Sequence, residues 1–223
     1  MAHALISGAP VVLKPSPASP WSSQIIAAAT VKADLPHDVF SMVLGAGQVG
    51  NQICSDSRIR GISMTGSTAT GRLIAQASAA NLTRLRLELG SNNPTIILSD
   101  ADVARSVEDL AAGMTKLNGQ WCEAPRRVFV HQSVYPDVVQ GLSDRLSRTR
   151  VGSSFDDNTQ VGPMAFRQRR DQLRTQRQQL VERGGRAEFS DNTPHAGWFF
   201  VPTVVSGQTV TLPGEVFGPM IAV

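Results

Sequence analysis

Two residues of the chain carry the means for covalent catalysis. Cys122 offers a thiol in Asn118-Gly119-Gln120-Trp121-Cys122. Glu88 offers a carboxylate in Leu85-Arg86-Leu87-Glu88-Leu89-Gly90-Ser91. A thiolate attacks a carbonyl carbon, and a carboxylate takes a proton from the nucleophile or from a water. Each residue lies close to a glycine, where backbone can approach a substrate closely. The two are 34 residues apart, so only the fold can bring them together. Cys54 follows Ile53 on a short amphipathic helix and reads as a small structural hydrophobe. His3, His37, His131 and His195 share no motif. No set of His and Cys has metal-ligand spacing, so no metal is expected.

The elements that must hold these groups follow from composition and pattern. A chain of 223 residues allows one large domain or two smaller ones, and 41% apolar residues suffice for a core. Net charge is +3, with one dense basic stretch, Arg167 to Arg183. That stretch reads as a helix with a solvated face rather than a nucleic-acid patch. No run approaches the ~18 apolar residues that span a membrane, and the start lacks the basic region of a secretory signal. Two cysteines suit a reducing compartment, so a cytoplasmic location is expected.

Strand-like and helical patterns alternate. Strands are predicted at 11–13, 39–44, 61–64 and 85–89. Helices are predicted at 21–33, with Ser19 as N-cap and Pro20 at its first position, from 50 to 54, and at 66–80. The pattern restarts with a strand at 95–98, a helix at 102–117, a strand at 127–131 and a helix at 135–148. A looser region, 151–164, precedes the basic helix, and the tail from 199 to 223 reads as strands with turns. This order predicts an α/β protein with a mostly parallel sheet. A domain boundary is placed near residue 90, giving units 1–90 and 91–223.

Three local motifs face the strand ends, where ligands sit in open α/β sheets. Gly45-Ala46-Gly47-Gln48-Val49-Gly50 matches a dinucleotide-binding turn, but the acid expected about 20 residues on is replaced by Gly66, Ser67 and Thr68. A plain glycine turn explains it equally. Thr65-Gly66-Ser67-Thr68-Ala69-Thr70-Gly71 joins a strand to a helix. It suits a phosphate, or simple N-capping. Lys14 ends a strand and offers an ammonium to a ribose or phosphate, or to solvent.

Together these residues resemble the aldehyde dehydrogenase superfamily. The resemblance starts with Val12-Leu13-Lys14-Pro15-Ser16 and the Gly45-to-Gly50 turn. It continues with Met64-Thr65-Gly66-Ser67, Glu88-Leu89-Gly90 and Gly119-Gln120-x-Cys122 with Arg127. Val161-Gly162-Pro163, Pro202-Thr203 and Glu215-Val216-Phe217-Gly218-Pro219 complete the family's order. It implies part of a Rossmann-type cofactor domain followed by part of an α/β catalytic domain. It implies an oxidoreductase that turns an aldehyde into a carboxylic acid with NAD or NADP. Cys122 would attack the aldehyde to give a thiohemiacetal, hydride would pass to the nicotinamide, and Glu88 would activate the water that hydrolyses the thioester. Lys14 and Ser16 would contact the adenosine ribose, and Gly66, Ser67 and Gly71 the pyrophosphate. Leu89, Glu215 and Phe217 would face the nicotinamide side. A small-molecule aldehyde, no nucleic acid, no membrane, and a homodimer or homotetramer of the full-length form are implied as partners. Trp121 and Glu123 flank Cys122 and would shape the substrate site.

Departures from the family pattern set further expectations. Pro17 stands where an acid is frequent, so a 2′-phosphate meets no repulsion and NADP should be tolerated. Met64 replaces the usual Phe. Ser91 replaces a glycine; if that backbone needs positive φ, the serine is strained by roughly a kcal/mol or more. Family members are roughly twice as long, so the chain reads as an internal fragment or truncated form. Two other readings stay open: a non-catalytic remnant that binds nucleotide or a partner subunit, and a CoA-acylating semialdehyde dehydrogenase, against which Glu88 counts.

Overall fold

The computed structural model describes residues 1–189, 194, 196–207, 211–212 and 214–223. His195 and parts of the predicted strand-like tail lie outside these. The chain divides into two compact units, Met1–Leu89 and Gly90–Val223.

The first unit alternates helices and strands: α1 (Ala2–Ile6), β1 (Val11–Leu13), α2 (Pro20–Lys32), β2 (Phe40–Met42), α3 (Gly47–Ser55), β3 (Gly61–Gly66), α4 (Thr68–Ser78) and β4 (Arg84–Leu89). Pairing is parallel in both strand pairs, and each pair is joined through a helix, as parallel strands require. The expected single sheet is instead two pairs, β1–β2 and β3–β4. Only three residues of each strand pair in β1–β2, and no backbone ladder joins that pair to β3–β4. Helix α2 starts where Pro20 predicts, since the proline's missing N–H costs nothing at a helix start. Ser19 occupies the N-cap position without a side-chain bond. Along β3 and β4, Ile62, Met64, Leu85, Leu87 and Leu89 share one face; Ser63, Thr65, Arg86 and Glu88 share the other.

The second unit contains β5 (Asn93–Ile97), α5 (Val103–Thr115), β6 (Pro125–Val130), α6 (Tyr135–Ser147), α7 (Arg167–Glu182), β7 (Arg186–Phe189), β8 (Thr203–Ser206) and β9 (Met220–Ala222). They form a five-stranded sheet in the order β5-β6-β9-β8-β7, parallel except for the β7–β8 pair. Two cores flank it. Ile97 and Val128 pack with Leu110 and Met114 of α5 and Leu142 of α6. Val205 and Met220 pack with Leu173 and Leu180 of α7 and with Phe200. The basic stretch is therefore an amphipathic helix seated by its leucines. One of its arginines, Arg177, lies over the Phe189 and Phe200 rings at 4.1 and 5.4 Å. No helix among the described residues is long and apolar enough to cross a membrane.

Candidate active site

Cys122 is exposed on a loop whose neighbouring residues are each fixed from outside. Leu117, Asn118 and Gly119 adopt left-handed backbone at φ 52, 57 and 69°, a reversal that costs the bulky Leu117 about 1 kcal/mol or more. Asn118 offsets this by accepting from the Gly162 N–H at 2.8 Å and donating to the Pro163 carbonyl at 3.3 Å. Gln120 accepts from the Ala165 N–H at 3.1 Å. Trp121 donates through its indole N–H to the Gly113 carbonyl at 2.9 Å, under the Lys116 ammonium at 4.4 Å. The carbonyl of Cys122 itself accepts from the Asn93 amide at 2.5 Å. The Val161-Gly162-Pro163 motif thus serves to brace the thiol loop.

Arg126 lies beneath this loop, 1% exposed. Its two terminal nitrogens donate to the carbonyls of Gly119 and Gly218. Its neighbour Arg127, the arginine of the Gly119-Gln120-x-Cys122 motif, is exposed and donates to the Asn92 carbonyl at 2.8 Å. Two adjacent arginines look alike in sequence, and strand alternation decides which one turns inward.

Glu215 and Phe217 lie on a segment held from both sides. Asn92 donates to the Gly214 carbonyl at 2.5 Å and accepts from the Val216 N–H at 2.9 Å. Gln176 of α7 donates to the Glu215 carbonyl at 3.0 Å. The Glu215 carboxylate rests on Gly90: a Cβ there would come within 2.0 Å of it. Burial raises the Glu215 pKa, opposed by the Arg169 and Arg126 guanidiniums. Arg169 lies 5.0 Å over the Phe217 ring. Sequence reading missed Asn92, Asn93, Arg126 and Arg169. The Asn92-Asn93 pair beside Gly90 was the one available signal.

In the first unit, Lys14 ends β1 and its ammonium donates to the carbonyls of Pro15 and Gly45, at 2.9 and 3.1 Å. It therefore lies over the Gly45-to-Gly50 turn. Ser16 is exposed and accepts from the Ala18 N–H. Ser67 caps α4, accepting from the Thr70 N–H at 3.2 Å. Gly71 is buried against Leu89, whose Cδ2 would lie 2.8 Å from an added Cβ; these two residues meet each other. Gly66 faces Met64. Glu88 is exposed and pairs with Arg86 at 3.2 Å, an interaction worth little in solvent. Ser91 is not in the left-handed region, so the strain expected there is absent.

Trp121 and Glu123 line a cleft of about 370 Å³ with residues of β5 and α5; Cys122 is not among its lining residues. No group of three or more metal-ligating side chains occurs among the described residues.

Comparison with known proteins adds identity to this geometry. The sequence profile of the Aldehyde dehydrogenase family matches residues 1–223. A Staphylococcus aureus (strain bovine RF122) protein, named provisionally as an aldehyde dehydrogenase, is 34% identical over 233 residues. The match covers all of this chain and 49% of that protein. Among solved structures, a betaine aldehyde dehydrogenase mutant from Staphylococcus aureus in complex with NAD+ superposes with a TM-score of 0.95 at 30% identity. It covers 100% of this chain and 46% of that one. An aldehyde dehydrogenase C mutant from Pseudomonas syringae, with NAD+ and octanal, gives 0.94 at 30% identity, covering 99% and 47%. An E. coli NADP-dependent enzyme gives 0.92 at 30% identity, covering 98% and 47%. The chain spans about half the length of the relatives that it matches. With its parallel α/β units and thiol loop matched from end to end, the chain belongs to the aldehyde dehydrogenase family.

Proposed function

We propose that the chain carries the nucleotide-facing and thiol-bearing parts of an NAD(P)-dependent aldehyde dehydrogenase. The carrying observation is Cys122: an exposed thiol on a loop braced by Asn93, Asn118, Gln120 and Trp121. Its Sγ forms a bond to the aldehyde carbon, and the carbonyl oxygen takes up the proton. The donor set of the first unit suits a dinucleotide. An ammonium (Lys14) and the start of a capped helix (Ser67, α4) follow the ends of parallel strands. Glu215 and Phe217 of the second unit would meet the ribose and ring at the nicotinamide end. A bound nicotinamide would supply the oxidant, accepting hydride from the thiohemiacetal C–H bond while the hydroxyl proton passes to solvent, which leaves the thioester on Cys122. Glu88 then takes a proton from water as the water adds to the thioester carbon. The C–S bond breaks, and the acid leaves with the thiol restored. Pro17 leaves room for NADP beside NAD. The full-length form acts on a small-molecule aldehyde as a homodimer or homotetramer.

The test follows reduced-nicotinamide absorbance with a panel of aldehydes. Cys122→Ala abolishes all signal. Glu88→Gln keeps a stoichiometric burst while turnover falls about 10²–10⁴-fold. A Cys122→Ala variant that still turns over sinks the assignment. One observation favours the second reading, a remnant that binds a partner. In α2, Trp21, Ile25 and Val31 are 76, 72 and 81% exposed, an apolar face that asks for cover. Turnover by the isolated 223-residue chain excludes that reading.

A further inference from the structure

The Arg126 guanidinium reaches two segments far apart in the sequence. One terminal nitrogen donates to the Gly218 carbonyl, the other to the Gly119 carbonyl. Gly119 lies three residues before Cys122, and Gly218 three after Glu215. The segments also touch directly: a Cβ on Gly119 would lie 2.4 Å from the Gly218 carbonyl carbon. We propose that Arg126 is a positioning residue that locks the Cys122 loop and the Glu215–Phe217 segment into one rigid element. The proposal rests on the reading of Cys122 as nucleophile and of Glu215 and Phe217 as cofactor contacts.

The chemistry of the side chain supports this role. A guanidinium is a planar fork whose donors serve two carbonyls at once; an ammonium is a point donor on a flexible stem. Burying a cation is costly, and burial pulls this guanidinium down to about 10 against the pull of Glu215. The compensation is that two carbonyls at the junction of the segments receive charged donors. Asn92 adds a tie on the Glu215 side, and Asn118 one on the loop side. Neither side chain spans both segments, as Arg126 does.

The test is hydrogen exchange on the 223-residue chain, comparing the parent with Arg126→Lys and Arg126→Met. Lysine keeps the charge but loses the fork, so the outcome is read from it; Arg126→Met gives the larger change in the same direction. In Arg126→Lys, the amides of residues 119–122 and of 216–218 and 220 lose protection together, by about tenfold, while those of α5 and α6 keep theirs. Alkylation of Cys122 by iodoacetamide, with buried Cys54 as internal reference, quickens in step. Loosening of one segment alone, of the whole unit equally, or of neither overturns the proposal. None of these readouts needs turnover. A chain that shows coupled loosening but oxidises no aldehyde keeps the lock and removes the catalytic reading.

Discussion

Glu215 sits where a carboxylate is penalised, and its neighbours set the sign of its pH response. Burial raises its pKa, and Arg169 and Arg126 only partly restore the charged form. A raised pKa means that the folded chain holds the proton more tightly than the unfolded one. Its contribution to stability is therefore full below the ordinary carboxylate range and is lost as pH rises through the folded-state value. Glu215→Gln should be the more stable protein at neutral pH in urea denaturation. The gap should narrow as pH falls through the carboxylate range; a gap that widens on acidification contradicts the burial argument. Two glycines here answer differently to a methyl group. Gly119→Ala meets backbone at Gly218 and already needs positive φ, so it should cost about 2 kcal/mol or more. Gly90→Ala meets only the mobile end of Glu215. It should leave the denaturation midpoint nearly unchanged while weakening nicotinamide binding, measured by titration in the assembled enzyme.

At the scale of elements, caps and seams decide what holds the site. Asp102 caps α5 by accepting from the Arg105 N–H at 3.0 Å. Asp102→Ala should cost about 1 kcal/mol by chemical denaturation without moving the Cys122 loop. Leu173 is fully buried, and its Cδ1 would lie 2.2 Å from a Cβ on Gly218. Leu173→Ala should cost about 2–5 kcal/mol and should also loosen residues 215–220, a double effect that hydrogen exchange detects. Most of these elements were legible because periodicity and punctuation agree: Pro20 opens α2, and Asp102 precedes α5. The strand β7 was not. On this four-residue edge strand Arg186 and Glu188 carry charge where an apolar run would announce a strand. Helix α1, five residues with no buried side chain, leaves no apolar period to read.

At the scale of the molecule, burial is distributed unevenly. Among the described residues, Pro15 and Cys54 are the buried apolar side chains of the first unit, whereas both core clusters lie in the second. Local stability follows buried contact density. Hydrogen exchange on the whole chain should therefore show the strongest protection in α5, α6, β6 and β8, with α2 and β1–β2 exchanging first. Equal protection across Met1–Leu89 and Gly90–Val223 would contradict this. The exposed apolar residues of α2 belong to a chain that spans about half of its relatives, and covering them should raise protection in the first unit selectively.

What the sequence determined by itself was the order of strands and helices apart from α1 and β7, the family, and the identity of Cys122 as a thiol set in a glycine-bearing loop. Periodicity and motif order are local properties, and they survive in one dimension. Tertiary structure decided the rest. It turned Arg126 inward and Arg127 outward, brought Asn92 to the Glu215 segment 124 residues away, and laid Glu215 on Gly90. It also relieved Ser91 of the strain its substitution predicted. Each of these depends on which side chain faces which backbone across the sheet, and no spacing along the chain encodes that choice.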